Sequence, residues 1–185
     1  MSTIETSTTP ATGTYGIDAS HTHVGFKVRH LMVSKVRGRF ADFEGTVTVA
    51  PDPLESAVEV TVQLASIDTR DAGRDEHLRG ADFFDVAQHP TMTFRSTGVR
   101  PVGTNRYAVD GELSLRDVTK PVTLDVTYDG TARDPWGGER AGFSATAEID
   151  REDFGLTWNQ ALETGGVLVG KKIEIDIEAE IVRQA

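Results

Sequence analysis

The sequence predicts an all-β fold of about eight strands, either closed into a barrel or stacked as a sandwich. Three observations predict it. Apolar residues alternate with polar ones over most of the chain, and a strand sends successive side chains to opposite faces. Short turn signals, of which "APDPLES" and "RDVTKP" are the clearest, separate the alternating runs. Only one long stretch fails to alternate. A sheet with one apolar face must close on itself or cover that face with another sheet. Closure at about eight strands leaves an interior that holds side chains or one small ligand. Alternation alone serves both arrangements equally.

The elements follow in chain order. Residues 1–14 read as a disordered tail, rich in Ser and Thr and poor in large apolar groups, so the single folded domain spans 15–185. Val24, Phe26 and Val28 form the first alternating set. The next run changes phase: Val36, Gly38 and Phe40 share one parity, and Phe43, Gly45, Val47 and Val49 share the other. A β-bulge near Ala41 and Asp42 would keep both sets on one face and curve the strand. Val58, Val60, Val62 and Leu64 follow, then Met92 and Phe94. Tyr107, Val109, Gly111, Leu113 and Leu115 make the next set, and Val122, Leu124, Val126 and Tyr128 the one after. Phe143, Ala145, Ala147 and Ile149 precede a last set, Ile173, Ile175, Ile177, Ala179 and Ile181, whose opposite face is acidic.

The exception is the charged stretch from Asp68 to Pro90. It predicts one or two short helices over residues 71–86, packed at one end of the sheet. Gly80 suits the end of the first helix and Asp82 the cap of a second. Phe83 and Phe84 stand side by side here, near Leu78. Adjacent phenylalanines need a surface to pack on, so the segment is read as a plug that completes the core or as a cover for the mouth of the sheet.

Composition excludes several functions. The formal net charge is -10, which opposes nucleic acid and anionic membrane surfaces. There is no cysteine, so disulfides and thiolate chemistry are absent. No stretch is apolar and long enough to cross a bilayer, so no stable membrane insertion is expected. The first residues carry no signal-peptide pattern, which predicts a cytoplasmic protein.

Three of the five histidines lie in "SHTHVGFKVRHL". His21 and His23 share a face of an extended chain, whereas His30 has the opposite parity, so the three do not converge on one metal. No metal site is assigned. Asp18 with His21 or His23 makes an acid–base pair conceivable, which keeps an enzyme on an apolar substrate as the alternative function. No serine has a nucleophile-elbow context. The glycines of "TGGVLVG" lack phosphate-loop spacing and read as a flexible turn. Trp158 is a candidate for lining or closing one end.

Five stretches occur in order: "IDASHTHVGFKVRHL", "RGRFADFEGTVTV", "SIDTRDAGRDEHLRGADFFDVAQHPTMTFRS", "DGELSLRDVTKPVTLDV" and "DREDFGLTWN" with "GGVLVGKKIEIDIEAEI". Together they resemble the YceI-like family, lipocalin-like polyisoprenoid-binding proteins, from about Tyr15 to Val182. The resemblance implies an eight-stranded antiparallel lipocalin-like barrel with the helical segment packed at one end. It implies non-enzymatic binding, transport or storage of a long apolar isoprenoid lipid, a polyprenyl quinone or its precursor, with no cofactor. It also implies a homodimer. On this reading the ligand-binding candidates are Phe26, Val28, His30, Phe40, Phe43, Leu78, Phe83, Phe84, Phe94, Leu113, Leu115, Phe143 and Trp158. Phe83 and Phe84 then become a candidate lid.

Overall fold

The computed structural model describes residues 9–184. The chain forms β1 (Gly13–Ile17), β2 (His23–His30), β3 (Ser34–Phe40), β4 (Phe43–Val49), β5 (Ala57–Gln63) and β6 (Ile67–Asp68). One helix, α1 (Ala72–Arg79), follows. Five longer strands complete it: β7 (Thr91–Gly103), β8 (Arg106–Leu115), β9 (Val118–Arg133), β10 (Glu139–Asp150) and β11 (Val169–Arg183). The first eight residues of the expected tail lie outside the described residues. Its end does not match the expectation, because Gly13 and Thr14 already belong to β1 and pair with Val49 and Thr48.

All pairings are antiparallel, and they close. The order runs β1, β4, β5, β7, β8, β9, β10, β11 and back to β1. Tyr15 faces Val47 on one side and Arg183 on the other, so β1 joins the two ends of the sheet. That pairing selects the barrel over the sandwich. β2 continues β1 along the same edge of β11, and β3 pairs with β2 as β4 pairs with β1. Counted as continuous staves, β1 with β2 and β3 with β4, the barrel has the eight antiparallel strands expected.

The phase change at Ala41 and Asp42 is a full break between β3 and β4. Ala41 donates to the carbonyl of Ser66, and Asp42 accepts from Gln63. Phe40 and Phe43, on either side, are both buried. A second phase change lies in β7, where the register against β8 shifts between Ser96 and Gly98. It leaves Ser96 and Val99 on one face despite their opposite parity. The β5 pattern also ends early. Leu64 does not extend the strand but opens a 3₁₀ turn, where it is fully buried.

One end of the barrel is packed solid. Phe40, Phe83, Leu115, Phe154 and Leu156 form a buried cluster with Phe26, Leu78, Phe84 and Trp158 against it. Asp71 caps α1 by accepting from the Arg74 amide, and Gly80 ends it as expected. The second helix does not form: residues 81–84 are a turn, and Asp82 pairs with His77 at 3.0 Å instead of capping. Asp75 accepts from the amide and hydroxyl of Thr69, at 2.9 and 2.5 Å, which ties α1 to the end of β6.

Candidate functional site

The other end of the barrel is hollow. A cavity of about 260 Å³ lies inside it. Its wall is built from the inward-facing sets of the long strands: Val58, Val60 and Val62 from β5, Val122, Leu124 and Val126 from β9, and Ile175, Ile177 and Ala179 from β11. No Asp, Glu, Lys, Arg or His lines it among the described residues. The few polar groups in the wall already have partners. Ser96 Oγ accepts from the Val58 amide, Ser56 Oγ accepts from the Ala50 amide, and Thr22 Oγ1 exchanges hydrogen bonds with the backbone of Glu180. Tyr128 bonds Thr131 through its hydroxyl. The cavity therefore presents hydrocarbon and aromatic surface, which solvates an apolar chain and offers a charged group nothing.

The entrance lies at the end where β1 begins and the β4–β5 and β7–β8 connections turn. Thr9, Pro10, Pro53, Ser56, Val99 and Tyr107 surround it. The other half of that end is shut by Tyr15, packed with Val49, Tyr128, Ala141 and Ile181. Tyr15 is fully buried, donates its hydroxyl to the Ala11 carbonyl at 2.7 Å, and has its pKa raised chiefly by burial.

Four of the expected ligand-binding residues, Phe43, Phe94, Leu113 and Phe143, line this cavity. The other nine do not. Phe26, Phe40, Leu78, Phe83, Phe84, Leu115 and Trp158 belong to the packed end. Val28 and His30 sit at the far end of β2, paired with Val36 and Ser34. Alternation reports which face a side chain takes, not how far along the barrel it lies, and these nine lie beyond the hollow part. Phe83 and Phe84 are thus a plug at the closed end, not a lid over the entrance. Phe83, His77 and Trp158 form a mutual aromatic contact, with ring centres 4.7 to 5.3 Å apart. Ile17, Met92, Val99, Tyr107 and Tyr128 line the cavity without having been singled out. Tyr107 and Tyr128 carried the right parity. Val99 was hidden by the break of phase in β7.

The acid–base trio falls outside the wall. Glu180 and Asp176 alternate with lining residues of β11 and so face outward, and the trio meets them there. His23 pairs with Asp176 at 3.4 Å. His21 Nδ1 meets Asp18 Oδ2 at 2.9 Å and Glu180 Oε2 at 3.4 Å. Asp18, His21 and Glu180 bring three ligand-type atoms within 4.8 Å of one another. However, Arg140 donates to Asp18 Oδ2 at 2.8 Å, faces Glu180 at 3.7 Å and also donates to Asp134 at 2.9 Å. Its guanidinium supplies the positive charge that a cation would bring, and it ties β10 to the β1–β2 turn. Ser20, Arg140 and His21 together hold the Asp18 carboxyl far below the ordinary carboxylate range.

The sequence pattern of the YceI-like domain matches residues 15–181. The chain belongs to the YceI-like family. A UPF0312 protein of Azotobacter vinelandii is 44% identical over 140 residues, which cover 75% of this chain and 73% of the relative. Among solved structures, Burkholderia cenocepacia BcnA aligns with a TM-score of 0.78 at 23% identity, covering 89% of this chain and 98% of its own. A polyisoprenoid binding domain from Saccharophagus degradans aligns with a TM-score of 0.71 at 15% identity, covering 92% and 98%. At those identities the two structures establish the shared YceI-like barrel.

Proposed function

We propose that this protein binds an isoprenoid lipid in the barrel cavity and carries or stores it, with a polyprenyl quinone or its precursor as the cargo. The observation that carries the reading is the wall itself: a concave, apolar surface with its few polar atoms already paired. Each methylene moved from water to such a wall gains about 0.8 kcal/mol, so a prenyl chain binds without directional chemistry. The tail enters first. A polar head group stays at the entrance, near Ser56 and Tyr107, because nothing deeper can solvate it. The polyisoprenoid binding domain from Saccharophagus degradans, which shares this barrel, supports the reading. The acid–base alternative gains no support from the wall, which Asp18, His21 and His23 do not reach. As in the resemblance, the carrier is a homodimer, to be checked by light scattering.

Mass spectrometry of an organic extract from freshly purified protein tests the proposal. The expected result is one prenyl lipid in stoichiometric amount. Val60→Asp, which sets a carboxylate in the apolar wall, should empty the extract while the β-rich circular dichroism persists. An empty wild-type extract, together with no uptake of added prenyl alcohol, would end the reading.

A further inference from the structure

We infer that the cavity is a blind shaft whose foot measures chain length: Phe26, Phe40 and Phe84 close it, so the protein accepts the apolar end of a lipid to a fixed depth and leaves the remainder outside. The inference rests on reading the cavity as a lipid site and specifies which lipids fit it.

On β2, β10 and β8 the lining stops one inward residue short of the closed end, while on β11 it runs on to Ile175, the partner of Phe26 and Ala147. Val24 lines the cavity but Phe26, two residues further along β2, does not. The same step separates Ala145 from Ala147 on β10 and Leu113 from Leu115 on β8. Phe26, Ala147 and Leu115 pack in one apolar cluster with Phe40, Phe84, Phe154 and Leu156, none of which lines the cavity. At these strands the lining ends on a floor.

Three rings build that floor. The centres of Phe26 and Phe40 are 5.7 Å apart, and those of Phe40 and Phe84 are 6.0 Å apart. Phe84 reaches them from the segment after α1, so the plug underlies the shaft. Phe26 is held by the strand beside it: a Cβ added at Gly38 would fall 2.3 Å from its ring. The ring thus lies against bare backbone where any other residue would push it out into the shaft.

The depth follows from strand geometry. On β9 the lining runs from Val122 to Tyr128. Six residue steps at about 3.3 Å, tilted by about 40°, descend about 15 Å along the axis. That is half the roughly 30 Å hydrocarbon thickness of a bilayer, the reach of one acyl chain. The volume, about 260 Å³, lies just under the usual range of small-molecule pockets and holds one slender chain, not two. A prenyl chain of three or four units fills such a shaft. A longer one must project from the entrance.

The test is a ladder of all-trans prenyl alcohols of two, three, four and eight isoprene units, competed against a fluorescent apolar probe. In the wild type each unit that enters should tighten binding by about tenfold or more, and units beyond four should add less than about threefold. Phe84→Ala and Phe26→Ala should move the plateau to longer chains. Ala145→Phe, which fills the lower shaft, should move it to shorter ones and keeps the test decisive if either truncation fails to fold. Affinity that keeps rising from four to eight units in the wild type would overturn the floor while leaving lipid binding intact. A plateau that Ala145→Phe leaves in place would do the same. A folded wild type that takes up no alcohol of any length would overturn lipid binding itself, and the floor with it.

Discussion

Arg151 directs its guanidinium at backbone instead of at a carboxylate. It is buried at 3% exposure and donates to the carbonyls of Gly170, Leu156 and Val169 at 2.8, 2.6 and 3.4 Å. Burial pulls its pKa below the ordinary value, against the nearby Glu152 and Asp150 carboxylates, and the three acceptors let it fasten the turn after β10 to the start of β11. Arg151→Met should destabilise the fold by about 3 kcal/mol in urea unfolding, since the carbonyls of Leu156 and Gly170 lose this donor and that of Val169 is left with Asn159. A loss within error would show that water replaces the arginine. The outer face responds to acid in a different way. Arg100 and Thr123 hold Asp110 down to about 2, against 3.8 in the unfolded chain, and Asp18 is also lowered. With folded values below unfolded ones, the stability these carboxylates contribute is complete above about pH 4; the share of Asp110 is lost as pH falls toward about 2, and that of Asp18 at lower pH still. The double variant Asp18→Asn with Asp110→Asn should have a lower urea midpoint than wild type near neutrality. The gap between the two midpoints should narrow steadily below about pH 4. A gap of constant size across that range would assign the effect to lost hydrogen bonds and not to charge.

At the scale of elements, alternation located nearly every long strand. The inward sets of β8, β9, β10 and β11 are the cavity wall and packed end, as parity alone indicates. What alternation does not carry is depth along the barrel. Phe26 and Val24 have the same parity and pattern, yet one is floor and the other wall. The plug shows the same limit. Adjacent Phe83 and Phe84 announce a surface to pack on, but not which end of the barrel supplies it. That is decided by Asp75 and Thr69, which anchor α1 beside β6, a two-residue strand too short to give any periodic signal. Tight turns were partly legible. The turn between β8 and β9 places both Arg116 and Asp117 at positive φ, 52° and 62°. The turn between β2 and β3 places Leu31 and Met32 at 53° and 62°, where a sequence reading expects Asn or Gly. There, strand pairing on both sides overrides local preference.

At the scale of the molecule, closure is the organising fact. β11 pairs with β10 along one edge and with β1 and β2 along the other, so the last strand seals the first. In a closed barrel one seam always joins strands distant in sequence, wherever the chain happens to begin. The ends of the described residues lie together beside that seam: the Gln184 amide donates to the Thr14 carbonyl at 2.7 Å, and Arg183 donates to the Thr12 carbonyl at 2.9 Å. The hairpin between β9 and β10 is open to solvent at its tip, where Trp136 is 88% exposed. A circular permutant that joins Gln184 to Thr9 through a short glycine linker, so that Thr9, Pro10 and Ala11 stay at the entrance, and opens between Trp136 and Gly137 moves the non-local seam from β1–β11 to β9–β10 without removing a strand pairing. It should form the same barrel, take up the same prenyl alcohols with the same plateau, and refold within about tenfold of the wild-type rate, since the topology to be closed is unchanged. Removing residues 171–185 instead deletes most of β11, bares the edges of β10 and β2, and takes away the wall formed by Ile175, Ile177 and Ala179. That chain should aggregate and bind nothing. A permutant that aggregates like the truncation would mean that the order in which strands are made, and not closure itself, secures this fold.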